Sequence, residues 1–297
     1  MTRADPYPSR VSGAAEVLVR KDPVVHGSAS DGPLSGIELE TFERNGFLAL
    51  DAFFDAQEIR ALRAEAERMR ESTLEDEAAE VIREPGSAAV RSVFAVHRSS
   101  PIFAALARTP RLLGAAMQIL GSPVYVHQSR INYKPGFRGR EFYWHSDFET
   151  WHVEDGMPRM RAVSVSLSLL ESNVHNGPLM LIPGSHRHYV ACAGTTPERH
   201  YERSLRQQEY GVPEPAILEG LARRGGIIAP LGPPGSIVLF DCNTLHGSNG
   251  NITPWPRSNV FLVYNSVENA LEAPFSGQEP RPAHIASRDF APLTLCR

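Results

Sequence analysis

The feature that most constrains this chain is an alternation of apolar residues and serines near position 165. Val163, Val165 and Leu167 alternate with Ser164 and Ser166, so a strand here has one apolar face and one face of small hydroxyl groups. Such a strand suits a barrel whose interior is lined by small side chains. The alternation therefore predicts a core built from strands.

Short strands separated by turn-forming residues are predicted on both sides of this segment. They cover roughly residues 123–134, 140–149, 161–171, 177–182, 235–242 and 257–267. Two helices precede them: one follows the capping box Asp55–Glu58 and ends near Ser72, and the other runs from Thr109 to Gly121. Helices first and strands later predict a mainly β fold with flanking α-helices, as an antiparallel barrel or a double-sheet jelly roll.

Composition narrows the class of protein. The 297 residues are 42% hydrophobic and 22% charged, so the chain can bury a sizeable core. A net charge of −4 argues against nucleic-acid binding, and no apolar run reaches the roughly 18–20 residues that span a bilayer. The three cysteines, Cys192, Cys242 and Cys296, are too few and too scattered for a disulfide framework. With no signal-peptide pattern at its start, the chain is expected to be cytoplasmic, with no nucleic-acid or membrane partner.

The chain divides into a tail and one domain. Residues 1–36 contain 4 Pro, 4 Gly and 5 Ser, a composition that predicts a mobile N-terminal tail. Residues 37–297 are expected to form a single domain, with a helical buttress at about 37–121 and a barrel at about 122–270. Within the barrel, residues 189–230 are predicted to be an insertion with one helix around 197–209. Loops of that length often act as lids.

His145 and Asp147 are the sharpest candidates for metal ligands, because positions i and i+2 of a strand point to the same face. By themselves they also fit a surface pair. His246, beyond the apolar run 235–240, is the preferred third ligand, and His186 is the rival. Two histidines and one carboxylate leave three positions open on an octahedral ion, as in non-haem Fe(II) oxygenases. Zinc hydrolases more often use three histidines, or two with a glutamate, around a tetrahedral ion.

Arg257 lies eleven residues after His246 and begins a strand that is expected to pair antiparallel with the His246 strand. A 2-oxo acid chelates Fe(II) through its keto and C1 carboxylate oxygens, so its far carboxylate needs a fixed cation. The guanidinium of arginine offers a bidentate fork for that carboxylate. The alternative for Arg257 is an exposed position in a proline-rich turn.

Three neighbouring segments carry a resemblance to a known family. Residues 128–137, 142–152 (Phe-Tyr-Trp-His-Ser-Asp-Phe-Glu-Thr-Trp-His) and 154–158 closely resemble the ectoine hydroxylases, and Pro183–Arg187 resembles their wider branch. That branch is the phytanoyl-CoA-dioxygenase-like group of Fe(II)/2-oxoglutarate dioxygenases. The resemblance covers about residues 35–290 and implies a single dioxygenase domain with a double-stranded β-helix core, a cupin-like jelly roll. It implies the following site: Fe(II) at His145, Asp147 and His246, and 2-oxoglutarate at Arg257 and Lys134.

The resemblance also implies an activity, the O2-dependent conversion of the compatible solute L-ectoine to 5-hydroxyectoine with release of succinate and CO2. It places substrate contacts at Gln128, Trp151, Phe240 and Phe261, and no catalytic residue beyond the metal ligands. The flat amidinium of ectoine suits aromatic faces, at about 0.5–2 kcal/mol per contact. Trp151 is expected to be exposed in a polar loop, whereas Phe240 and Phe261 also fit ordinary core positions.

Two other functions remain open from the sequence. One is the same chemistry on another small zwitterion, such as a proline-like amino acid. The other is a non-catalytic, cupin-like binding module, which an intact set of metal ligands argues against. The resemblance and the size of the insertion favour a homodimer.

Overall fold

The computed structural model describes residues 5–10, 15–73, 78–206 and 208–295. The strands in this part of the chain are β1 Glu16–Val19, β2 Phe47–Leu50, β3 Val81–Arg83, β4 Val90–Phe94, β5 Val124–Lys134, β6 Phe142–His145, β7 Ala162–Ser168, β8 Leu179–Leu181, β9 His188–Ala191, β10 Ile237–Asp241, β11 His246–Ser248 and β12 Arg257–Ser266. The α-helices are α1 Gly36–Asn45, α2 Ala56–Ser72, α3 Val96–Ser99, α4 Pro101–Leu106, α5 Pro110–Leu120, α6 Asp147–Thr150, α7 Tyr201–Ser204 and α8 Pro215–Gly225. No helix among these residues is long and apolar enough to cross a bilayer.

Two antiparallel sheets form the core. The large sheet has the strand order β2-β10-β7-β12-β5-β4-β3, and the small sheet has the order β6-β11-β8. Apolar side chains from both sheets pack against one another between them: Phe47, Leu179, Leu181, Val238, Phe240 and Phe261. This two-sheet core with flanking helices confirms the predicted jelly-roll fold class.

The outer face of the large sheet is covered by helices. Asp55 caps α2 by accepting hydrogen bonds from the backbone N–H groups of Gln57 and Glu58, and the Glu58 carboxylate accepts one from the Asp55 N–H. Reciprocal caps of this kind typically contribute about 1 kcal/mol. Ile59, Leu62 and Met69 of α2 are buried in the main core. The second predicted helix is also confirmed as α5, with Pro110 at its first position and Gly121 in the left-handed conformation.

Strand β7 shows the alternation from which its two faces were predicted. Val163, Val165 and Leu167 belong to the core beneath the helices. Ser164 and Ser166 are equally buried but lie on the opposite, inner face, where the Ser166 hydroxyl accepts a hydrogen bond of 2.9 Å from the Asn259 amide. Small hydroxyl groups therefore line the interior between the sheets.

Two local predictions are wrong. The predicted strand 140–149 ends at His145, because α6 and a π-helical turn, Trp151–Asp155, follow it directly. The predicted helix at 197–209 is reduced to the single turn of α7, while the longer helix of the insertion, α8, begins at Pro215 and buries Leu218 and Leu221 one turn apart.

The predicted pairing between the His246 strand and the Arg257 strand is also wrong. Strand β12 pairs with β5 on one side and β7 on the other, within the large sheet. His246 begins β11, which lies between β6 and β8 in the small sheet. The two strands thus face one another across the core, and both still reach the same interior space.

The described residues of the N-terminal segment pack against the rest of the protein. Tyr7 is fully buried, β1 pairs antiparallel with β9 at the start of the insertion, and Val24 and Leu34 belong to the main core. The prediction of a mobile tail for residues 1–36 therefore does not describe residues 5–10 and 15–36. The prediction fails for these residues because composition averages over the whole segment. The segment is rich in Pro, Gly and Ser, but it also contains a few large side chains that pack against residues far away in the sequence.

One group of buried ionisable side chains connects this segment to the insertion. We call Arg10, Glu149, Glu154 and His200 the Arg10 cluster. Arg10 donates two hydrogen bonds to Glu149, from Nε (2.9 Å) and Nη2 (2.7 Å), and a third to Glu154. The His200 Nδ1 lies 3.0 Å from the same Glu154 carboxylate. Burial raises the pKa of Glu154, but hydrogen bonds from His200 and Arg10 and the nearby charge of Arg281 outweigh it and lower the pKa to about 2.

Candidate metal centre

His145, Asp147 and His246 converge on one point in the interior. His145 ends β6 and lies directly opposite His246, which begins β11. The Nε2 atoms of His145 and His246 are 3.8 and 3.9 Å from the two carboxylate oxygens of Asp147. Donor atoms from the three residues all lie within 4.8 Å of one another. Asp147 reaches this point from the first turn of α6, not from the strand that the sequence predicted.

Hydrogen bonds orient the two imidazole rings. The Nδ1 of His145 lies 2.6 Å from the Tyr143 carbonyl oxygen, and the Nδ1 of His246 lies 3.0 Å from the Thr244 carbonyl oxygen. Because a carbonyl only accepts, each Nδ1 is the donor of its hydrogen bond, and the Nε2 atoms are the ring nitrogens that face Asp147 and could bind a metal ion. Burial, and then the proximity of His246, lower the pKa of His145 to about 4, so this ring is neutral at pH 7.

The donor set fits an Fe(II) ion. Two imidazoles and one carboxylate on a single side of a site are typical ligands of non-haem Fe(II), whereas soft thiolates favour zinc or iron–sulfur clusters. The Ser164 hydroxyl donates a hydrogen bond of 3.4 Å to Asp147 from the inner face of β7 and helps to fix the carboxylate. The rival ligand, His186, is instead bound through Nε2 to the Glu43 carbonyl oxygen at 3.1 Å.

A cavity beside the triad is rich in cations. The residues that line it come from both sheets: Arg130, Asn132, Phe142, His145, Leu179, His246, Gly247, Ser248, Arg257 and Phe261. Arg257 donates one hydrogen bond, from Nη1 to the Asn259 side-chain oxygen at 3.0 Å. Its buried Nε has no hydrogen-bond partner among the residues that the structure describes. A guanidinium with unused donors is suited to bind an anion.

Lys134 lies directly opposite Arg257 in the β5–β12 ladder. Its Nζ donates hydrogen bonds to the Ser248 hydroxyl at 2.8 Å and to the Asn249 carbonyl oxygen at 2.5 Å. Burial, followed by the neighbouring charges of Arg257 and Arg91, lowers the pKa of Lys134 to about 6. The structure therefore brings the two residues predicted for 2-oxoglutarate to one end of the site.

Three of the predicted substrate residues also lie in the interior. The rings of Phe240 and Phe261 are 6.3 Å apart and nearly perpendicular, and Phe240 lies 4.9 Å from the ring of His246. The Gln128 side-chain amide donates a hydrogen bond of 2.8 Å to the Ile285 carbonyl oxygen. These placements leave their predicted role as substrate contacts open.

Trp151 occupies a different environment from the one expected. It begins the π-helical turn and is only 3% exposed, so the prediction of an exposed tryptophan in a polar loop is wrong. Its ring packs edge-on against His127 at 5.0 Å and belongs to an apolar cluster with Phe148 and Met157.

Sequence reasoning missed Arg130, which lines the cavity. It lies on β5 between Gln128 and Lys134, and residues two apart on a strand share one face. The alternation Gln128, Arg130, Asn132 and Lys134 is the signal that points to it. Burying four polar side chains on one face is costly unless they form hydrogen bonds with the protein or with a ligand.

A jelly-roll core that holds two histidines and one carboxylate at one point, with a cationic pocket beside them, defines the class of non-haem Fe(II) oxygenases that use a 2-oxo acid. Residues 42–259 match the model of the phytanoyl-CoA dioxygenase family, and the chain belongs to that family.

Relatives within the family match this chain over nearly its whole length. An ectoine dioxygenase from Bordetella bronchiseptica is 58% identical over 285 residues, which is 96% of this chain and 92% of the relative. An ectoine dioxygenase from Stutzerimonas stutzeri is 55% identical over 295 residues, which is 99% of this chain and 98% of the relative. The crystal structure of EctD from S. alaskensis with 2-oxoglutarate and 5-hydroxyectoine has a TM-score of 0.88 and 50% identity, and covers 96% of this chain and 95% of that one.

Proposed function

We propose that this protein is an Fe(II)- and 2-oxoglutarate-dependent dioxygenase that hydroxylates L-ectoine to 5-hydroxyectoine, with release of succinate and CO2. The observation that carries the proposal is the convergence of His145, Asp147 and His246 beside the pocket of Arg257 and Lys134. Similarity over almost the full chain to ectoine dioxygenases supports ectoine as the substrate.

His145, Asp147 and His246 would hold Fe(II) from one side and leave its other side open to small molecules. Bound Fe(II) and 2-oxoglutarate supply the oxidative chemistry. The chain fixes the ligands in place, since both rings are held through Nδ1 and the Asp147 carboxylate accepts a hydrogen bond from Ser164. Such supporting bonds typically matter 10- to 100-fold for metal affinity or activity.

Arg257 and Lys134 would bind the far carboxylate of 2-oxoglutarate. Arg257, with its unused donors, and Lys134 lie directly opposite each other on neighbouring strands, so one carboxylate can bind both side chains. The site is buried, and a weakly screened environment strengthens this attraction. The incoming charge also favours the protonated form of Lys134.

Ectoine would bind on the metal side of the cavity. Phe240 contacts the His246 ring, so a substrate held against Phe240 and Phe261 lies next to the metal. Gln128 retains one amide N–H and one oxygen lone pair for the substrate. Trp151 remains part of the proposal because it belongs to the sequence block that resembles the family, although little of its surface is accessible.

The decisive experiment is mass spectrometry of ectoine after incubation with the protein, Fe(II), ascorbate and 2-oxoglutarate. We expect a gain of one oxygen atom that requires 2-oxoglutarate and O2, with one succinate formed per product. Proline and other small zwitterions in parallel reactions test the substrate. A protein that oxidises proline but not ectoine would contradict the substrate while leaving the class intact.

Asp147→Ala tests the metal centre. We expect it to abolish succinate formation, because one of three ligands is lost, while the circular dichroism spectrum stays unchanged. Asp31→Ala is the matched control, since Asp31 is exposed and its loss leaves the cavity untouched. Turnover retained in Asp147→Ala would overturn the assignment of the iron ligands.

We also propose that the protein is a cytoplasmic homodimer. Exposed apolar side chains of two neighbouring loops support association: Phe137 is 67% exposed, Ile252 86% and Trp255 56%. The Phe137 N–H donates a hydrogen bond of 2.9 Å to the Thr253 carbonyl oxygen and joins the two loops. Light scattering at several protein concentrations measures the oligomeric state. A molecular mass that stays at that of one chain would contradict a dimer.

A further inference from the structure

Arg91 is a buried arginine that joins the two sheets at one end of the cavity. It belongs to β4 of the large sheet and is 1% exposed. Its Nη2 donates a hydrogen bond of 2.8 Å to the carbonyl oxygen of Glu141, the residue directly before β6 of the small sheet. Its Nη1 donates a hydrogen bond of 3.0 Å to the carboxylate of Glu84, which is also buried. Two partners from different segments therefore fix the position and the orientation of the guanidinium.

The fixed guanidinium stacks on Phe142, the first residue of β6. The Cζ atom of Arg91 lies 3.7 Å from the centre of the Phe142 ring, which is van der Waals contact with the face of the ring. Such a contact typically contributes about 0.5–2 kcal/mol, with the larger values where water is excluded. Arginine is better suited to it than lysine, because the guanidinium is planar. Arg91 thus determines where the Phe142 ring lies.

Phe142 lies at the end of the cavity where Lys134 is found. It lines the cavity and lies opposite Ser248 in the β6–β11 ladder. The Ser248 hydroxyl accepts the hydrogen bond from the Lys134 Nζ, and that Nζ is 5.5 Å from the centre of the Phe142 ring. A ring in this place replaces water beside the Lys134 ammonium with apolar surface. Weaker screening strengthens the attraction between this ammonium and a bound carboxylate.

The stability of the fold does not by itself account for Arg91. A buried pair of arginine and glutamate can often be replaced by apolar residues without loss of stability. The Nε of Arg91 is buried and has no hydrogen-bond partner among the described residues. Burial, then Arg257, and then Arg91 lower the pKa of Lys134, so the charge of Arg91 also disfavours a neighbouring ammonium. A cation that is kept here in spite of these costs is suited to a role in ligand binding.

We propose that Arg91 is a positioning residue for the 2-oxoglutarate pocket, and that it acts by holding the Phe142 ring beside Lys134. This inference rests on the proposed function, in which Lys134 and Arg257 bind the far carboxylate of 2-oxoglutarate. Arg91 is not among the described residues that line the cavity, so its effect reaches the ligand through Phe142.

Calorimetric titration of Fe(II)-loaded protein without O2 tests the proposal. One arm measures the Kd of 2-oxoglutarate, and the other measures the Kd of ectoine at saturating 2-oxoglutarate. Arg91→Lys keeps the charge but loses the planar group, and we expect it to raise the Kd of 2-oxoglutarate roughly 5- to 30-fold, the range of a buried cation–π contact. The Kd of ectoine should change less than about threefold, because the change is confined to the Lys134 end of the cavity. Arg91→Gln, which is planar but neutral, is the second variant and should shift the Kd values in the same way.

A double-mutant cycle separates positioning from a general effect on the fold. Phe142→Leu removes the ring and leaves the ion pair of Arg91 and Glu84 intact. If Arg91 acts through the ring, adding Arg91→Lys or Arg91→Gln to Phe142→Leu should raise the Kd of 2-oxoglutarate by less than about twofold. Arg223→Lys makes the same chemical change at an arginine whose side chain is 76% exposed, and it should leave both Kd values unchanged.

Three results would overturn the proposal. The first is an unchanged Kd of 2-oxoglutarate in a folded Arg91 variant. The second is a double variant whose loss of affinity equals the product of the two single losses, because Arg91 would then act independently of Phe142. The third is an equal loss of affinity for both ligands together with a lower urea midpoint, which indicates a purely structural role. Wild-type protein that does not bind 2-oxoglutarate would instead contradict the proposed function, and the role of Arg91 with it.

Discussion

Two groups of buried charges in this protein differ in how they are paired. In the Arg10 cluster, Arg10 meets two carboxylates and Glu154 meets both Arg10 and His200. In the cavity, Arg257 and Arg130 each retain a buried Nε without a partner among the described residues. The comparison separates two uses of buried charge: paired charges hold segments of the chain together, whereas we propose that the unpaired charges of the cavity bind a ligand.

Removing the arginine of the paired group should have the largest effect. Arg10→Met leaves Glu149 and Glu154 buried without their cation, and breaking a buried pair from one side typically costs about 3–5 kcal/mol. We expect the free energy of unfolding in urea to fall by about that amount. A loss below about 1 kcal/mol would show that the cluster does not stabilise the fold.

The unpaired group should respond in the opposite way. Arg257→Met removes a buried charge that has one side-chain partner in the described part of the chain, so we expect the ligand-free protein to keep its stability or to gain some. The Kd of 2-oxoglutarate should rise roughly 10- to 150-fold. Urea unfolding and calorimetry on the same preparation measure both quantities. A large loss of stability in this variant would contradict the distinction between the paired and the unpaired buried charges.

Lys134 gives a smaller, pH-dependent effect. Its pKa of about 6 means that it is mostly neutral at pH 7.5 in the ligand-free protein, and a bound carboxylate should raise that pKa. The bound state then holds more protons than the free state, so affinity for 2-oxoglutarate should weaken as pH rises above about 6. Calorimetry in buffers of different ionisation enthalpy should detect uptake of up to about one proton.

Lys134→Met is the control for this proton uptake. The variant should bind 2-oxoglutarate more weakly and take up no proton at pH 7.5. Equal uptake in the variant and the wild type would assign the titration to another group. Uptake absent from both would contradict the neutral form of Lys134.

The smallest effect is expected at the surface. Arg223 and Glu219 form an ion pair on α8, but their side chains are 76% and 61% exposed. Water and salt screen such pairs, and many contribute nothing measurable. Arg223→Ala should leave both the urea midpoint and the Kd of 2-oxoglutarate unchanged, which calibrates the effects at Arg10 and Arg257.

Local sequence patterns predicted the elements that have a regular alternation of apolar residues or a recognisable helix cap. The alternation around Val165 gave the two faces of β7, and the capping box at Asp55 gave the start of α2. The candidate metal ligands could also be predicted from the sequence, because His145 and Asp147 are close in the sequence and His246 follows a clear apolar run. Their convergence is a property of the tertiary structure, which brings β6 and β11 together.

The parts that sequence reasoning missed depend on long-range contacts. Arg10 finds Glu149 139 residues away, and Trp151 is buried by segments that no local pattern reveals. The pairing of β12 was wrong for the same reason: its neighbours, β5 and β7, are set by the order of the whole sheet. The alternation that puts Arg130 on the inner face of β5 was visible in the sequence. The cavity beside Arg130 was not, because it is formed by both sheets.

The direct pairing of His145 with His246 has a consequence for the amount of folded protein in the cell. Strands β6, β11 and β8 are only three or four residues long, and short strands are weak on their own. In the proposed holoenzyme, the iron ion joins neighbouring strands of this small sheet and stabilises the folded state in proportion to the logarithm of its free concentration. A shortage of iron would then lower the amount of enzyme as well as its activity, because protein without metal unfolds more often and is degraded faster.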